Sequence, residues 1–195
     1  MGGGFGIHYA GDEIPQPIPV YIQKMAAGLN RVYQEAGVPV PTISIEPGRR
    51  IVGEAGITLY TIYTRKEKPG IRTFVSVDGG MADNPRVTLY QAEYEAVLAA
   101  RPFAPAEETV RLCGRCCESG DVLIYDLAMP VAQKGEVIAV FATGAYNFSM
   151  ASNYNKLPVP PVVLVSKGRD ALMVRGQTLA DMARLDEVPH WVEEK

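Results

Sequence analysis

The spacing of apolar residues predicts a helix near the start of the chain and a strand soon after it. Apolar side chains between residues 18 and 36 recur at helical spacing: Ile22, Met25, Leu29, Val32 and Tyr33. Pro19 and Gly37 stand near the two ends of this pattern, where each is well tolerated. Residues 42–46 alternate between polar and apolar and predict a strand. Loop, helix, strand and loop in this order are typical of a parallel α/β unit.

The pattern changes near Gly53, where we place a boundary between residues 1–53 and residues 54–195. Short segments rich in β-branched and aromatic residues follow, separated by turn residues. They are residues 57–65, 72–78, 110–112, 122–126, 137–143, 162–166 and 171–175. Residues 91–100 fit neither a helix nor a strand cleanly, and residues 178–185 predict a closing helix. The second part is therefore predicted to be a mainly antiparallel β-barrel or sandwich.

Composition excludes several classes of protein. The 195 residues carry a net charge of −3 and contain no basic block, which argues against a nucleic-acid partner. The apolar runs are too short to span a bilayer, and the first residues lack the features of a signal peptide. Three clustered cysteines do not indicate a disulfide framework, so we expect a reduced, cytoplasmic protein.

Two glycine-containing loops are candidates for anion binding. The chain opens on Gly2-Gly3-Gly4, and such loops point backbone N–H groups at a phosphate. A Gly-rich loop normally follows a strand, so this opening predicts a fragment of a longer protein. Glu46-Pro47-Gly48-Arg49 follows the predicted strand and offers a guanidinium suited to a carboxylate or phosphate. Alone, the first is equally consistent with an ordinary flexible start, and the second is better explained as a strand-ending turn with a solvated arginine.

Two further segments combine polar and aromatic residues after predicted strands. In the first, a glycine turn at residues 78–80 precedes Arg86 and Tyr90, which share one face if this stretch is helical. In the second, Gly144-Ala145-Tyr146 offers a ring for stacking and a hydroxyl for a polar partner. A surface turn and a buried tyrosine are the alternatives.

The cysteine cluster at residues 113–121 has two chemical interpretations. The Cys-x-x-Cys spacing of Cys113 and Cys116 suggests zinc, but no second Cys/His pair completes four ligands, since His8 and His190 lie at opposite ends. We therefore predict no metal. Cys117, beside Glu118, can instead act as a proton donor.

In this order, the motifs resemble the C-terminal half of the diaminopimelate decarboxylase family, from Gly2 to about Leu185. The resemblance implies a pyridoxal 5'-phosphate (PLP) enzyme that converts meso-diaminopimelate to L-lysine. It also implies a fold in which a (β/α)8 barrel precedes a β domain. Residues 1–53 would be the last piece of that barrel. The family acts as a homodimer whose active site is shared across the interface.

The resemblance also assigns roles to individual residues. PLP would be bound by Gly3, Gly4, Glu46, Gly48, Arg49 and Tyr146. The substrate would be bound by Arg49, Arg86, Tyr90, Glu118 and Tyr146. Cys117 resembles the catalytic proton donor, and it would be donated with Glu118 to the partner's site. The two arginines suit the distal carboxylate of the substrate, and Glu118 suits its distal ammonium.

The family's Schiff-base lysine and its PLP-stacking histidine have no counterpart in this sequence. No lysine of the chain stands in a matching position: Lys24, Lys66, Lys68, Lys134, Lys156, Lys167 and Lys195. We therefore expect the chain alone to be inactive, and to need a longer or second polypeptide.

Three alternatives stay open. The chain could be a non-catalytic module that pairs with another subunit, although Cys117 and Glu118 would then have no purpose. It could belong to a decarboxylase of ornithine or arginine, but that group typically has Asp after the catalytic cysteine, where Glu118 stands here. The third alternative is a small zinc protein built on the cysteines.

Overall fold

A long helix is the first regular element of the chain. The computed structural model describes residues 4–12 and 14–193. Helix α1 spans Ile18–Glu35, with a proline in its first turn, and Gly37 follows its end. The helix predicted over residues 18–36 is thus confirmed. None of its side chains is buried, and its Tyr21 ring meets the Phe5 ring edge-on at 5.6 Å.

The strand predicted for residues 42–46 is wrong. The segment has no regular structure and leads directly into the short helix α2, Gly48–Val52. Alternating residues mark a chain suited to a sheet, but a strand exists only when a neighbour supplies hydrogen bonds. No described strand pairs with this segment.

Six strands form one sheet that curls into a nearly closed barrel. They are β1 (Thr58–Lys68), β2 (Arg72–Val77), β3 (Ala96–Leu98), β4 (Glu108–Cys113), β5 (Val122–Met129) and β6 (Val137–Val140). Their order in the sheet is β3-β6-β1-β2-β4-β5. Every neighbouring pair is antiparallel except β2 with β4, which is parallel. The prediction of a mainly antiparallel β domain is therefore confirmed, and the architecture is a barrel.

The barrel interior is filled by branched and large apolar side chains that alternate along the strands. The largest of those essentially without solvent exposure are Ile62, Leu98, Leu112, Leu123, Met129 and Ile138. Each such side chain stabilises the fold by about 1.5–3 kcal/mol relative to an exposed position. A register shift between Ile62 and Thr64 divides β1, whose first residues pair with β6 and whose last residues pair with β2.

The parallel pair requires a long crossover, and that crossover carries part of the candidate site. It runs from the end of β2 through helix α3 (Arg86–Tyr90) and β3 to the start of β4. The helical turn expected for Arg86 and Tyr90 is confirmed. The ambiguous residues 91–100 contain β3, which pairs with β6.

The last third of the chain lies outside the barrel sheet. Helix α4 (Asn147–Met150) and a single 3₁₀ turn (Tyr154–Lys156) precede a separate hairpin of β7 (Val162–Ser166) and β8 (Arg169–Val174). The predicted closing helix is α5, Leu179–Ala183, whose N-cap Thr178 forms a capping box with Asp181. Helix α6 follows at His190–Glu193. Among the helices described, none combines the length and apolar character required to cross a bilayer.

Candidate functional site

Arg49 lies against the glycine loop at the start of the chain. It stands in the first turn of α2, and its Nη2 donates a hydrogen bond to the carbonyl oxygen of Phe5 (3.2 Å). A Cβ at position 4 would be 3.3 Å from this nitrogen, which is closer than most real contacts. Glycine at position 4 therefore allows the Arg49 guanidinium to approach the backbone of residues 4 and 5.

A close backbone approach brings Tyr146 to the same side of the molecule as α2. The N–H of Gly144 donates to the carbonyl of Gly53 (3.0 Å), and the N–H of Thr143 donates to the carbonyl of Gly56 (3.0 Å). A Cβ on Gly144 would lie only 1.9 Å from the carbonyl oxygen of Val52. The end of α2 and the segment before Tyr146 are therefore fixed to each other.

Arg86 is the centre of the candidate site. It is only 8% exposed, and its guanidinium carbon lies near three tyrosine rings. The distances to the ring centroids are 5.3 Å for Tyr9, 5.9 Å for Tyr90 and 5.2 Å for Tyr146. Its Nη1 donates to the Tyr9 hydroxyl (2.9 Å), whereas its buried Nε has no partner. A cation held in this way retains hydrogen-bonding capacity for an anion.

Tyr9 connects the two arginines. Its ring lies 5.9 Å from the Arg49 guanidinium carbon, and it meets Tyr94 edge-on at 5.6 Å. We call Tyr9, Arg49, Arg86, Tyr90 and Tyr146 the arginine–tyrosine cluster. A cavity of about 360 Å³ opens beside it, and Tyr9 and Arg49 line this cavity. Two cations and three tyrosines beside a cavity suit a ligand that is both anionic and partly planar.

A buried hydrogen bond between Tyr94 and Asn147 lies next to the cluster. The Tyr94 hydroxyl donates to Oδ1 of Asn147 (3.5 Å), the residue that follows Tyr146. Burial raises the pKa of Tyr94, and the positive charge of Arg86 opposes this rise. Tyr94 is therefore neutral at physiological pH and serves as a hydrogen-bond donor.

Tyr146 has a strained backbone. Its φ is +71°, a left-handed conformation that is rare for a residue with a large side chain. Half of its surface is exposed, and its ring faces the Arg86 guanidinium. Strain of this kind persists where the surroundings over-determine the conformation, and it is concentrated at functional sites.

The Cys117 loop, residues 114–121, is organised by a buried carboxylate. Asp121 is 4% exposed, and its two oxygens accept hydrogen bonds from the N–H groups of Met81 (2.7 Å) and Cys116 (2.6 Å). Thr88, on α3, adds a hydrogen bond to the carbonyl of Gly120 (3.0 Å). The loop is thereby attached to the crossover that carries Arg86.

The cysteines of this region differ in environment. Burial raises the pKa of Cys116 to about 11, with a further contribution from the Asp121 charge, and burial also raises the pKa of Cys113. Cys117 is exposed. All three are free, and no set of three or more His, Cys, Asp or Glu in the described ranges is arranged to hold a metal. Of the three thiols, Cys117 is the accessible one.

The structure brings together only some of the residues selected from the sequence. Gly4, Arg49, Arg86, Tyr90 and Tyr146 converge. Cys117 and Glu118 form no hydrogen bond, ion pair or ring contact with the arginine–tyrosine cluster among the residues that the structure covers. Glu46 and Gly48 flank the start of α2 at exposed positions. Gly3 lies outside the described residues.

Sequence reasoning missed three residues of this region. Tyr9 follows the glycine loop by five positions, and a tyrosine so close to a candidate anion site was a usable signal. Asp121 ends the cysteine cluster and Asn155 follows Tyr146 by nine residues, but their hydrogen bonds to Met81 and Cys117 join parts of the chain that are distant in sequence. No local pattern could have predicted those contacts.

We expect Tyr9→Phe to lower the free energy of unfolding by about 1 kcal/mol, because it removes the acceptor for a buried, charged donor. The ring and its contacts would remain. Tyr90→Phe is the matched control, since the Tyr90 ring also faces Arg86 but the residue is 64% exposed. Urea unfolding of both variants tests this. Equal midpoints for the two would contradict a role for the Tyr9 hydroxyl.

Comparisons with known proteins identify relatives of this chain. The family model described as pyridoxal-dependent decarboxylase, C-terminal sheet domain, matches residues 12–144. Diaminopimelate decarboxylase of Bacillus methanolicus is 50% identical over 90% of this chain, and that of Bacillus subtilis is 48% identical over 95%. The chain spans 40% and 42% of their respective lengths.

A solved structure is similar over nearly the whole chain. It is diaminopimelate decarboxylase from M. jannaschii in co-complex with L-lysine, with a TM-score of 0.84 and 32% sequence identity. The alignment covers 95% of this chain and 42% of that one. The matched family model covers more than half of the chain. This chain therefore belongs to the pyridoxal-dependent decarboxylase family, whose C-terminal sheet domain it contains.

Proposed function

We propose that this chain provides the substrate-carboxylate side and the proton donor of a diaminopimelate decarboxylase, which forms L-lysine and CO2 from meso-2,6-diaminopimelate. The observation that carries the proposal is the buried Arg86 near three tyrosine rings, with Arg49 also within 5.9 Å of the Tyr9 ring. This arrangement suits a carboxylate on a substrate.

The residues present fit PLP as the cofactor. Gly4 with Arg49 forms a cradle that a Cβ would fill, with a cation beside the loop backbone, as a phosphate requires. Gly3, Glu46 and Gly48 would complete the contacts, and the Tyr146 ring would lie against the cofactor. When bound, PLP would take up the electron pair left as the bond from Cα to the departing carboxylate breaks.

The residues of the chain would recognise the unreactive end of the substrate. Meso-diaminopimelate has an amino-acid group at each end. Arg86, with Arg49 and Tyr90, would bind the distal carboxylate, and Glu118 would bind the distal ammonium. A substrate without a distal carboxylate would leave the buried guanidinium of Arg86 unpaired, which costs binding free energy. This favours diaminopimelate over ornithine or arginine.

Cys117 would supply the proton that replaces the lost carboxylate. The thiol proton would pass from Sγ to Cα, which leaves a thiolate on Cys117. The amino acid released would be L-lysine. Because Cys117 and Glu118 lie apart from the arginine–tyrosine cluster of the same chain, a homodimer in which each chain donates them to its partner accounts for their position. We place this enzyme in the cytoplasm.

The proposal includes the domain division predicted from the sequence. Residues 1–53 would form the final piece of a PLP-binding (β/α)8 barrel, and residues 54–195 the β domain. The lysine that carries the cofactor would belong to the barrel. We expect the 195-residue chain, mixed with PLP and treated with borohydride, to retain no cofactor on a lysine by mass spectrometry. A single modified lysine would contradict this expectation.

A chimeric enzyme tests the function directly. The segment of Bacillus subtilis diaminopimelate decarboxylase that matches this chain, 42% of its length, is replaced by this chain. We expect the chimera to release CO2 from meso-diaminopimelate and to form L-lysine. Arg86→Met in the chimera should lower kcat/KM at least about 100-fold, because a bidentate, buried carboxylate contact is lost.

The alternatives predict different results from the same chimera. If the chain is a non-catalytic module, the chimera binds PLP, as judged by absorbance, but decarboxylates nothing. If the substrate is ornithine or arginine, the chimera releases CO2 from those amino acids in preference to meso-diaminopimelate. Either result overturns the proposal. Cys117→Ala serves as a control that leaves PLP binding intact.

A further inference from the structure

The two peptide groups next to the Cys117 side chain are each held by a side-chain oxygen. The N–H of Cys116 donates to Oδ2 of Asp121 (2.6 Å), and the N–H of Cys117 donates to Oδ1 of Asn155 (2.7 Å). Asp121 belongs to the same loop. Asn155 is 38 residues further along the chain, so it ties the loop to a separate element.

The element that carries Asn155 is a strained turn with its own anchors. Asn155 has φ +53° and Lys156 has φ +54°, both in the left-handed region. The side chain of Asn153 closes the turn by donating to the carbonyl of Leu157 (2.8 Å) and to the side chain of Gln177 (2.5 Å). Asparagine tolerates a left-handed backbone better than most residues, which allows the turn to aim its amide at the loop.

The same turn also faces Glu118. Desolvation raises the pKa of Tyr154, and the charge of Glu118 raises it further, with smaller effects from Cys116 and Cys117. Tyr154 in the turn therefore lies near Glu118, Cys116 and Cys117 of the loop. The Asn155 side chain is a neutral acceptor for the Cys117 N–H. A carboxylate at position 155 would add a negative charge near Cys117 and so disfavour its thiolate form.

We propose that Asn155 is the positioning residue of Cys117, fixing its peptide and so the direction in which Sγ points. It acts through the hydrogen bond that its Oδ1 accepts from the Cys117 N–H. The link to catalysis rests on the proposed function, in which Cys117 is the proton donor. The hydrogen bond itself does not depend on that function.

Three variants of the full 195-residue chain test the proposal. Asn155→Gly removes the acceptor while allowing the left-handed backbone, and Asn155→Asp keeps an acceptor but adds a charge. Lys156→Gly is the matched control. It introduces glycine at the neighbouring left-handed position and loses only the exposed ion pair with Asp186.

The first readouts need no enzyme activity. We expect amide exchange at Cys117, followed by NMR, to be at least about tenfold faster in Asn155→Gly and unchanged in Lys156→Gly. The pH midpoint for iodoacetamide alkylation of Cys117 should rise by about one unit in Asn155→Asp. Cys116 is an internal reference, since a thiol with a pKa of about 11 stays largely protonated at pH 8. Unchanged exchange in Asn155→Gly, or an unchanged midpoint in Asn155→Asp, would overturn the proposal.

A second readout separates positioning from a purely structural role. In an active chimera with the Bacillus subtilis relative, Asn155→Gly should lower kcat about tenfold with KM within about twofold, because misdirecting a reacting group costs rate. Lys156→Gly should leave kcat unchanged. If Asn155→Gly retains full kcat, the positioning role is refuted. An inactive chimera whose exchange and alkylation results hold would refute the proposed function and leave the contact established.

Discussion

Replacing Gly144 by alanine is expected to lower the free energy of unfolding by about 3 kcal/mol, the upper range for overpacking. The added Cβ would lie 1.9 Å from the carbonyl oxygen of Val52 and 2.8 Å from the nitrogen of Gly56. Both are backbone atoms, so no side chain can rotate away to relieve the contact. The two hydrogen bonds that join residues 143–144 to Gly53 and Gly56 would be broken or lengthened.

Thermal and urea unfolding, followed by circular dichroism, measure this effect. For a chain of this size, 3 kcal/mol corresponds to a fall in melting temperature of about 6–12 °C. Gly28→Ala is the matched control, because Gly28 lies in α1 with no atom near its missing Cβ. Helix propensity predicts that this control is neutral or slightly stabilising. A Gly144→Ala variant as stable as the control would show that the close approach does not exist.

Asp121→Ala is expected to cost a similar amount, about 3 kcal/mol. The substitution leaves the half-buried N–H groups of Met81 and Cys116 without acceptors, and an unsatisfied group costs about 1–3 kcal/mol. It also removes one of the hydrogen bonds that attach the Cys117 loop to the crossover, the bond from the N–H of Met81. Amide exchange at Met81 and Cys116 should therefore accelerate together, which places the damage at this contact.

Asp126→Ala provides the comparison for Asp121. Asp126 forms an ion pair with Arg72, but its side chain is 70% exposed, so its loss should cost no more than about 0.5 kcal/mol. Asp121→Asn should fall between the two, since the amide retains one acceptor and presents a donor to the other N–H. Equal unfolding midpoints for the two alanine variants would contradict the role assigned to Asp121.

Elements with a clear period were predictable from the sequence. The apolar spacing of α1 and the short β-rich segments each correspond to a real element. The exception is residues 42–46, whose alternation is that of a strand although no neighbour is present to pair with it. Local pattern reports what a segment can form, whereas pairing depends on the rest of the chain.

The candidate site was predictable in its chemical groups but not in its arrangement. Arg49, Arg86 and Tyr146 were selected because each follows a turn and carries a suitable side chain. Their convergence depends on the contact between Gly144 and Val52, and on the crossover that returns α3 to the barrel. Tyr9 was missed because its importance arises only from lying between two arginines that are distant in sequence.

The parallel pairing of β2 with β4 means that the two halves of the site depend on contacts of very different sequence separation. Strands β4 and β5 are neighbours in sequence, and the Cys117 loop is their connection, so this hairpin closes over a short distance. The β2–β4 pair must instead enclose the whole crossover, with Thr73 opposite Val110. Because long-range contacts cost more loop-closure entropy than local ones, we expect the hairpin that carries the Cys117 loop to form before the pairing that encloses Arg86.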